Sequence, residues 1–75
     1  MSKNEANPIR RARQACGMTQ QELGDRVGVS KATVSKWETG DGEPQPAEAV
    51  ALTQIFRRQR LTLQAIYRRH LREAA

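Results

Sequence analysis

Residues 18–40, MTQQELGDRVGVSKATVSKWETG, constrain this chain most tightly: two short amphipathic stretches separated by three residues, with a glycine at the joint. Thr19 followed by Glu22 is a capping-box pattern, in which each side chain satisfies an otherwise unpaired amide at a helix start. The helix it opens ends at Val27, because Gly28 supplies the positive φ that a sharp turn needs. Val29 plugs the turn, Ser30 caps the next helix, and that helix spans residues 31–38. Gly24 lies inside the first of the two helices, where glycine costs about 1 kcal/mol against alanine. Two helices crossing steeply need a small residue at their closest approach, which accounts for it.

The flanking segments continue the helical pattern. Asn7 before Pro8 reads as an N-cap with proline at the first helical position, opening a helix that runs to about Cys16 and is ended by Gly17. Ile9, Ala12 or Arg13, and Cys16 share one stripe of it, leaving Arg10 and Arg11 mostly outside. After Gly40, DGEPQP is a turn-rich loop, and Pro46 starts a fourth helix over residues 47–57 whose apolar side is Val50, Leu52, Ile55 and Phe56. RRQR at 57–60 interrupts it, Leu61 anchors the connection, and Thr62 caps a fifth helix in which Leu63, Ile66, Tyr67, His70 and Leu71 recur at helical spacing. No stretch alternates like a strand. The expected fold is all-α, a compact bundle of about five short helices, with residues 1–6 a disordered tail, 7–75 a single domain and the paired helices of 19–38 at its centre.

Seventy-five residues fit one domain, near the lower limit at which a single core supports itself, and leave no length for a separate sensing or catalytic domain. Thirteen lysines and arginines against eight acids give a formal charge of +5, which favours a polyanionic partner. The lone Cys16 cannot form a disulfide within the chain and reads as a small core residue, and no Cys/His spacing suits a metal. No apolar run approaches the roughly 20 residues of a membrane span, and MSKNEANP lacks the apolar stretch of a signal peptide. A soluble chain in a reducing cytoplasm is expected. With no nucleophile, base and oxyanion-donor set available, the chain does not read as an enzyme, and no cofactor, membrane or small-molecule ligand is expected.

On a wheel of about 100° per residue, Thr33, Val34 and Trp37 gather on one side of residues 31–38, and Lys31, Ala32, Ser35 and Lys36 on the other. The first set can pack against Leu23, Val27 and Val29, and makes Trp37 a core residue rather than a stacking platform for a base. The second set is small or cationic and suits a groove. Lys31 stands in the first helical turn, where the helix dipole disfavours an exposed cation by roughly 0.3–1 kcal/mol. Stability alone does not explain that lysine, whereas a ligand does; the plainer alternative is that Lys31 and Lys36 are solvated charges.

The MTQxEL opening, Gly28 in the turn, Val34 and the WE-x-G ending together resemble the helix-turn-helix of the Cro/C1-type, or xenobiotic-response-element (XRE), family, over roughly residues 8–56. The resemblance implies a lambda-repressor-like bundle, with phage Cro-like repressors the nearest in size, whose second motif helix lies in the major groove. Lys31, Ala32, Ser35 and Lys36 would then approach base edges. Gln20 matches a glutamine that touches a phosphate in similar proteins, and Thr19, Ser30, Thr33 and Thr39 are further phosphate candidates. Open amides at helix starts attract phosphate oxygens, and lysine donates to guanine O6 and N7, so a half-site with guanine opposite Lys31 or Lys36 is expected. Ala32 can meet at most a thymine methyl. The positions of Arg13 and Glu38 pair in similar proteins, bracing the recognition helix, and they join Gly24, Gly28, Val34 and Trp37 as the structural set.

Asp41, Glu43 and Glu48 occupy 41–48 without a cation, where many relatives carry Lys or Arg, which counts against backbone contacts from the start of that loop. From residue 49 onward there are six arginines and one acid. Arg57, Arg58 and Arg60, like Arg10, either contact phosphates or form a solvated face. His70 has no ligand partner at suitable spacing and reads as a helix-surface or interface residue. The stripe of Leu63, Ile66, Tyr67 and Leu71 either completes the core or faces a second protomer. Two related half-sites spaced about 10–10.5 base pairs apart multiply specificity, so a pseudo-palindromic operator and a homodimer, formed in solution or only on DNA, are expected. The chain thus reads as a sequence-specific double-stranded DNA-binding transcriptional repressor that occludes an operator, in a prokaryotic or phage-infected cell. The alternative is a protein-interaction module of the same fold, an antitoxin or coactivator, whose DNA binding is secondary.

Overall fold

Among residues 7–67, which the computed structural model describes, every regular element is a helix: α1 (Pro8–Ala15), α2 (Gln20–Val27), α3 (Lys31–Thr39), α4 (Pro46–Ile55) and α5 (Leu63–Ile66). Each helix start carries a local chemical cause. Asn7 Oδ1 accepts the amides of Ile9 (2.9 Å) and Arg10 (3.0 Å), with Pro8 at the first helical position. Thr19 and Glu22 close the reciprocal box on α2, each bond 3.0 Å long. Ser30 Oγ takes the Thr33 amide at 3.1 Å, Thr62 Oγ1 takes that of Ala65 at 3.1 Å, and the Gln45 amide donates to Glu48 Oε1 at 2.8 Å. Helices α2 and α3 end on left-handed glycines, Gly28 (φ 91°) and Gly40 (φ 86°).

The core is one cluster of Ile9, Ala12, Leu23, Val34, Trp37, Leu52, Phe56 and Leu61, with Met18, Val27, Val29, Ile55, Ala65 and Ile66 packed around it. Its buried residues come from α1 to α4 and the turn after α4, so the paired helices α2 and α3 are held from behind by α1 and α4, against which α5 packs in turn.

Gly24 sits where α2 meets the turn into α3. A Cβ placed on it would stand 2.6 Å from the Val29 carbonyl oxygen and 3.3 Å from the Ser30 carbonyl carbon, both backbone atoms. Gly24→Ala therefore gains about 1 kcal/mol of helix propensity but forces apart the two backbones that set the angle of α3, and overpacking of this kind costs about 1–3 kcal/mol. A lower melting temperature is expected by thermal denaturation. An unchanged or higher one would mean that the turn yields freely.

Several expectations are corrected. Cys16 is exposed, not in the core: α1 stops at Ala15, Cys16 is its C-cap, and Gly17 at φ 68° reverses the chain so that Met18 packs inward instead. Arg10 is half-buried with its Nε covered, whereas Arg11 is exposed. Helix α4 ends at Ile55 rather than residue 57, because the amides of Gln59 (3.1 Å) and Leu61 (3.3 Å) fold back onto the Phe56 carbonyl and bring Leu61 into the core. Val50 does not belong to the apolar side of α4: it is 44% exposed. Ala49, Leu52 and Phe56, at spacings of three and four, form the buried stripe, and Val50 lies about 100° around the helix from Ala49. Thr33 is half-covered rather than packed with Val34 and Trp37, and Leu63 is 45% exposed while Ala65 and Ile66 meet the core. The expected tail at 1–6, and His70 and Leu71 in the last helix, lie outside the described residues.

Candidate nucleic-acid interface

Helix α3 is anchored along one side. Val34, Trp37 and Glu38 are all buried, and Leu23 of α2 joins the same packed layer. The opposite side carries Lys31, Ala32 and Lys36 exposed and Ser35 half-buried. Spacing of four residues sets Lys31 over Ser35 and Ala32 over Lys36, so the four side chains share one surface. Two ammonium groups at opposite ends of a low-relief strip can donate to acceptors on an edge-on ligand.

The anchoring depends on a charged pair. Glu38 is 1% exposed, yet both carboxylate oxygens are satisfied: Arg13 Nε donates to Oε2 at 2.7 Å and Arg13 Nη2 to Oε1 at 3.0 Å. Arg13 Nη1 donates to the Met18 carbonyl at 2.7 Å, tying α1 to the entry of α2. The hydrogen bond to Glu38 holds the guanidinium above its ordinary pKa, against the opposing effect of burial, with charge attraction adding to it. Three segments are thus locked by one fork of donors, a geometry that lysine cannot supply.

The remaining candidates are dispersed. Thr19 is exposed, but its hydroxyl oxygen accepts the Glu22 amide and its own amide donates to Glu22 Oε1; that backbone bond first, and the Thr19 hydroxyl beside it, hold the Glu22 carboxyl below the usual range. Ser30 is exposed and its hydroxyl shares a 3.0 Å bond with that of Thr33. Gln20 is half-buried, with Nε2 directed inward to Glu38 Oε1 at 3.3 Å. Thr39 is half-buried too, its hydroxyl aimed at the Lys36 carbonyl (3.3 Å) and Asp41 Oδ2 (3.0 Å), so its one proton is already engaged. Arg57, Arg58 and Arg60 are exposed on the turn after α4. Arg60 lines a groove of about 370 Å³ with Pro8, Arg11, Ala12, Ala15 and Leu61, and no residue of α2 or α3 contributes to its walls. That position separates Arg60 from the strip on α3.

Three contacts were not read from sequence. Asn7 Nδ2 donates to the Trp37 carbonyl at 3.0 Å, so one side chain caps α1 and steadies the last turn of α3. Asparagine, with an acceptor and a donor on one amide, is the cap that can do both, and that choice over Ser or Asp was the available signal. The second is Gln20 on Glu38. The third is Tyr67, whose hydroxyl donates to the Pro44 carbonyl at 2.8 Å and pins the loop between α3 and α4. Burial first, then the carboxylates of Glu43 and Glu48, push the phenol pKa up, which keeps it in the donor form.

No group of three metal-ligating side chains occurs among the described residues, and no helix among them is long and apolar enough to cross a membrane. The helix-turn-helix family model matches residues 9–63, from within α1 to the first residue of α5. No curated protein and no solved structure gives a significant match.

Proposed function

Because the chain belongs to the Cro/C1-type (XRE) helix-turn-helix family and is a DNA-binding transcription regulator, we propose that it is a sequence-specific repressor that lays α3 in the major groove of an operator. The observation that carries this reading is the division of α3: Val34, Trp37 and Glu38 buried, against the open strip of Lys31, Ala32, Ser35 and Lys36. Lysines there donate to guanine O6 and N7, and Ala32 fits a thymine methyl. The strip carries no Arg, Asn or Gln, so bidentate readout is sparse, and two half-sites bound by a homodimer, together with DNA shape, supply the remaining specificity. The exposed Val50 and Leu63 offer apolar surface to the second protomer. The cell that holds its operator is prokaryotic or phage-infected, and the protein works in its cytoplasm without catalysing a reaction.

Selection of genomic fragments bound by the full chain, followed by footprinting, tests this. The expected result is a pseudo-palindromic site with guanine near the centre of each half, spaced about 10–10.5 base pairs, overlapping a promoter whose reporter falls when the chain is expressed. Fragments recovered without a shared motif would overturn it. A second reading, docking of a heterologous protein on the C-terminal helix, draws on the same 45% exposure of Leu63. It gains if Leu63→Asp abolishes a partner complex while leaving DNA binding and melting temperature intact.

A further inference from the structure

We propose that the groove between α1, the turn at residues 57–60 and α5 is a docking site for a short acidic segment of a partner protein, one that presents a small apolar side chain between carboxylates. Pro8, Ala12, Ala15, Leu61 and Ala65 give the groove an apolar lining, and its volume is about 370 Å³. Arg11 on α1 and Arg60 on the turn, both exposed, stand in its walls from opposite elements. The bordering segments read PIRRARQA, RRQR and LQAI, with six arginines and no acid. Among the described residues only Arg13 of the six has a carboxylate within ion-pair reach, that of Glu38. Guanidiniums call for paired oxygens, and the apolar lining calls for carbon. An acidic peptide brings both, whereas a duplex brings phosphates and nothing for the lining.

A backbone observation points the same way. The Leu61 amide bonds the Phe56 carbonyl at 3.3 Å and the Arg60 amide bonds the Arg57 carbonyl at 3.1 Å, the paired bonds of a Schellman ending, with Arg60 in its left-handed position at φ 57°. Glycine is the ordinary occupant of that position because it has no Cβ to clash. Gly17, Gly28 and Gly40 fill the other left-handed sites among the described residues, and Arg60 is the one non-glycine. A strained backbone position points to function when the side chain it carries has one, and here that side chain is a wall of the groove. The occupant is not one of the chain's own ends on charge grounds: residues 68–75 hold three arginines and one acid, and residues 1–6 one lysine and one acid. No residue of α2 or α3 lines the groove, so a peptide seated there leaves the strip on α3 open to DNA.

The test titrates an end-blocked synthetic peptide, Glu-Glu-Leu-Ala-Glu-Glu, into the nitrogen-15-labelled full chain. Saturable shifts are expected at the amides of Ala12, Ala15, Leu61 and Ala65, with hexaglutamate binding about fivefold more weakly because it has no apolar side chain for the lining. Arg60→Gly and Arg11→Ala are each expected to weaken peptide binding about fivefold, the upper range for an ion pair open to water. Arg60→Gly should at the same time hold or raise the melting temperature, since glycine relieves the left-handed position. Arg26→Ala, which removes an exposed arginine of α2, should leave peptide binding unchanged. The absence of saturable shifts, shifts confined to α2 and α3, equal binding of hexaglutamate, or an equal loss in Arg26→Ala would each overturn the proposal. So would a fall of about 0.9 per variant in the log-log salt slope for a duplex, which assigns the arginines to phosphates. Dissociation of a dimer by the peptide in sedimentation velocity would assign the groove to a second copy instead, and a nuclear Overhauser contact from residues 68–75 to Ala12 or Ala65 in the free chain would assign it to the chain's own end.

Discussion

Arg13→Ala is expected to cost about 3 kcal/mol of folding stability, the largest loss from any single truncation of the brace. Removing one partner of a buried pair leaves the other charge uncompensated, which costs about 3–5 kcal/mol. The lower end applies because the Arg13 side chain retains 11% exposure and water can reach part of the site, while Glu38 beneath it has 1%. The substitution also strips the Met18 carbonyl of its donor and leaves Glu38 Oε1 with only the longer bond from Gln20. In a domain of this size each kcal/mol moves the melting temperature by about 4–8 °C, so a fall of more than about 10 °C is expected by calorimetry. Replacing the pair together, Arg13→Met with Glu38→Leu, should recover most of that loss, because two apolar side chains leave no buried charge. A melting temperature unchanged in Arg13→Ala would show that the carboxylate finds solvent on its own. Base preference should survive in the folded fraction, since neither residue lies on the open strip of α3.

The parts of this fold legible in the sequence are those decided within one helical turn. Thr19, Glu22, Ser30 and Gly28 act on amides and torsions within a few residues of themselves, and so placed α2 and α3 before any tertiary contact was considered. Rotational phase was harder to read in α4, because Ala49, Val50, Leu52 and Phe56 admit two apolar stripes and only packing against the other helices chooses the one that leaves Val50 outside. Cys16 departs from its expected place for a related reason: the wheel sets it in line with Ile9 and Ala12, but it falls on the C-cap, one residue past the end of α1 at Ala15, where no neighbouring helix covers it. The contacts of Asn7 with Trp37, Gln20 with Glu38 and Tyr67 with Pro44 join residues 30, 18 and 23 positions apart. Each donor had several sterically equivalent partners in the sequence, and only the assembled core picks one. The reading strip was legible as a face but not in its depth, since the partial covering of Ser35 comes from neighbours that the wheel does not include.

Replacing Lys31 and Lys36 together by alanine is expected to separate binding from stability, weakening the first while leaving the second nearly unchanged. Lys31 is the first residue of α3 and is exposed, so its cation faces the positive end of the helix dipole and opposes folding by about 0.3–1 kcal/mol. Lys36, in the last turn, is favourably placed by the same dipole, and alanine improves helix propensity only slightly at either position. Lys31→Ala alone should therefore hold or raise the melting temperature. On DNA the signs reverse, because each lysine that donates to guanine O6 or N7 is worth about 1–3 kcal/mol of discrimination, so each loss should weaken operator binding about tenfold or more. The informative readout is the pattern over operator variants. If these lysines read bases, the double variant binds the operator and its guanine-substituted variants almost equally, while its residual non-specific affinity changes little. If they touch only phosphates, all sequences weaken alike, the guanine preference survives, and the log-log salt slope falls by about 0.9 for each lost contact. That second pattern would move specificity off the side chains of α3 and onto the geometry of paired half-sites.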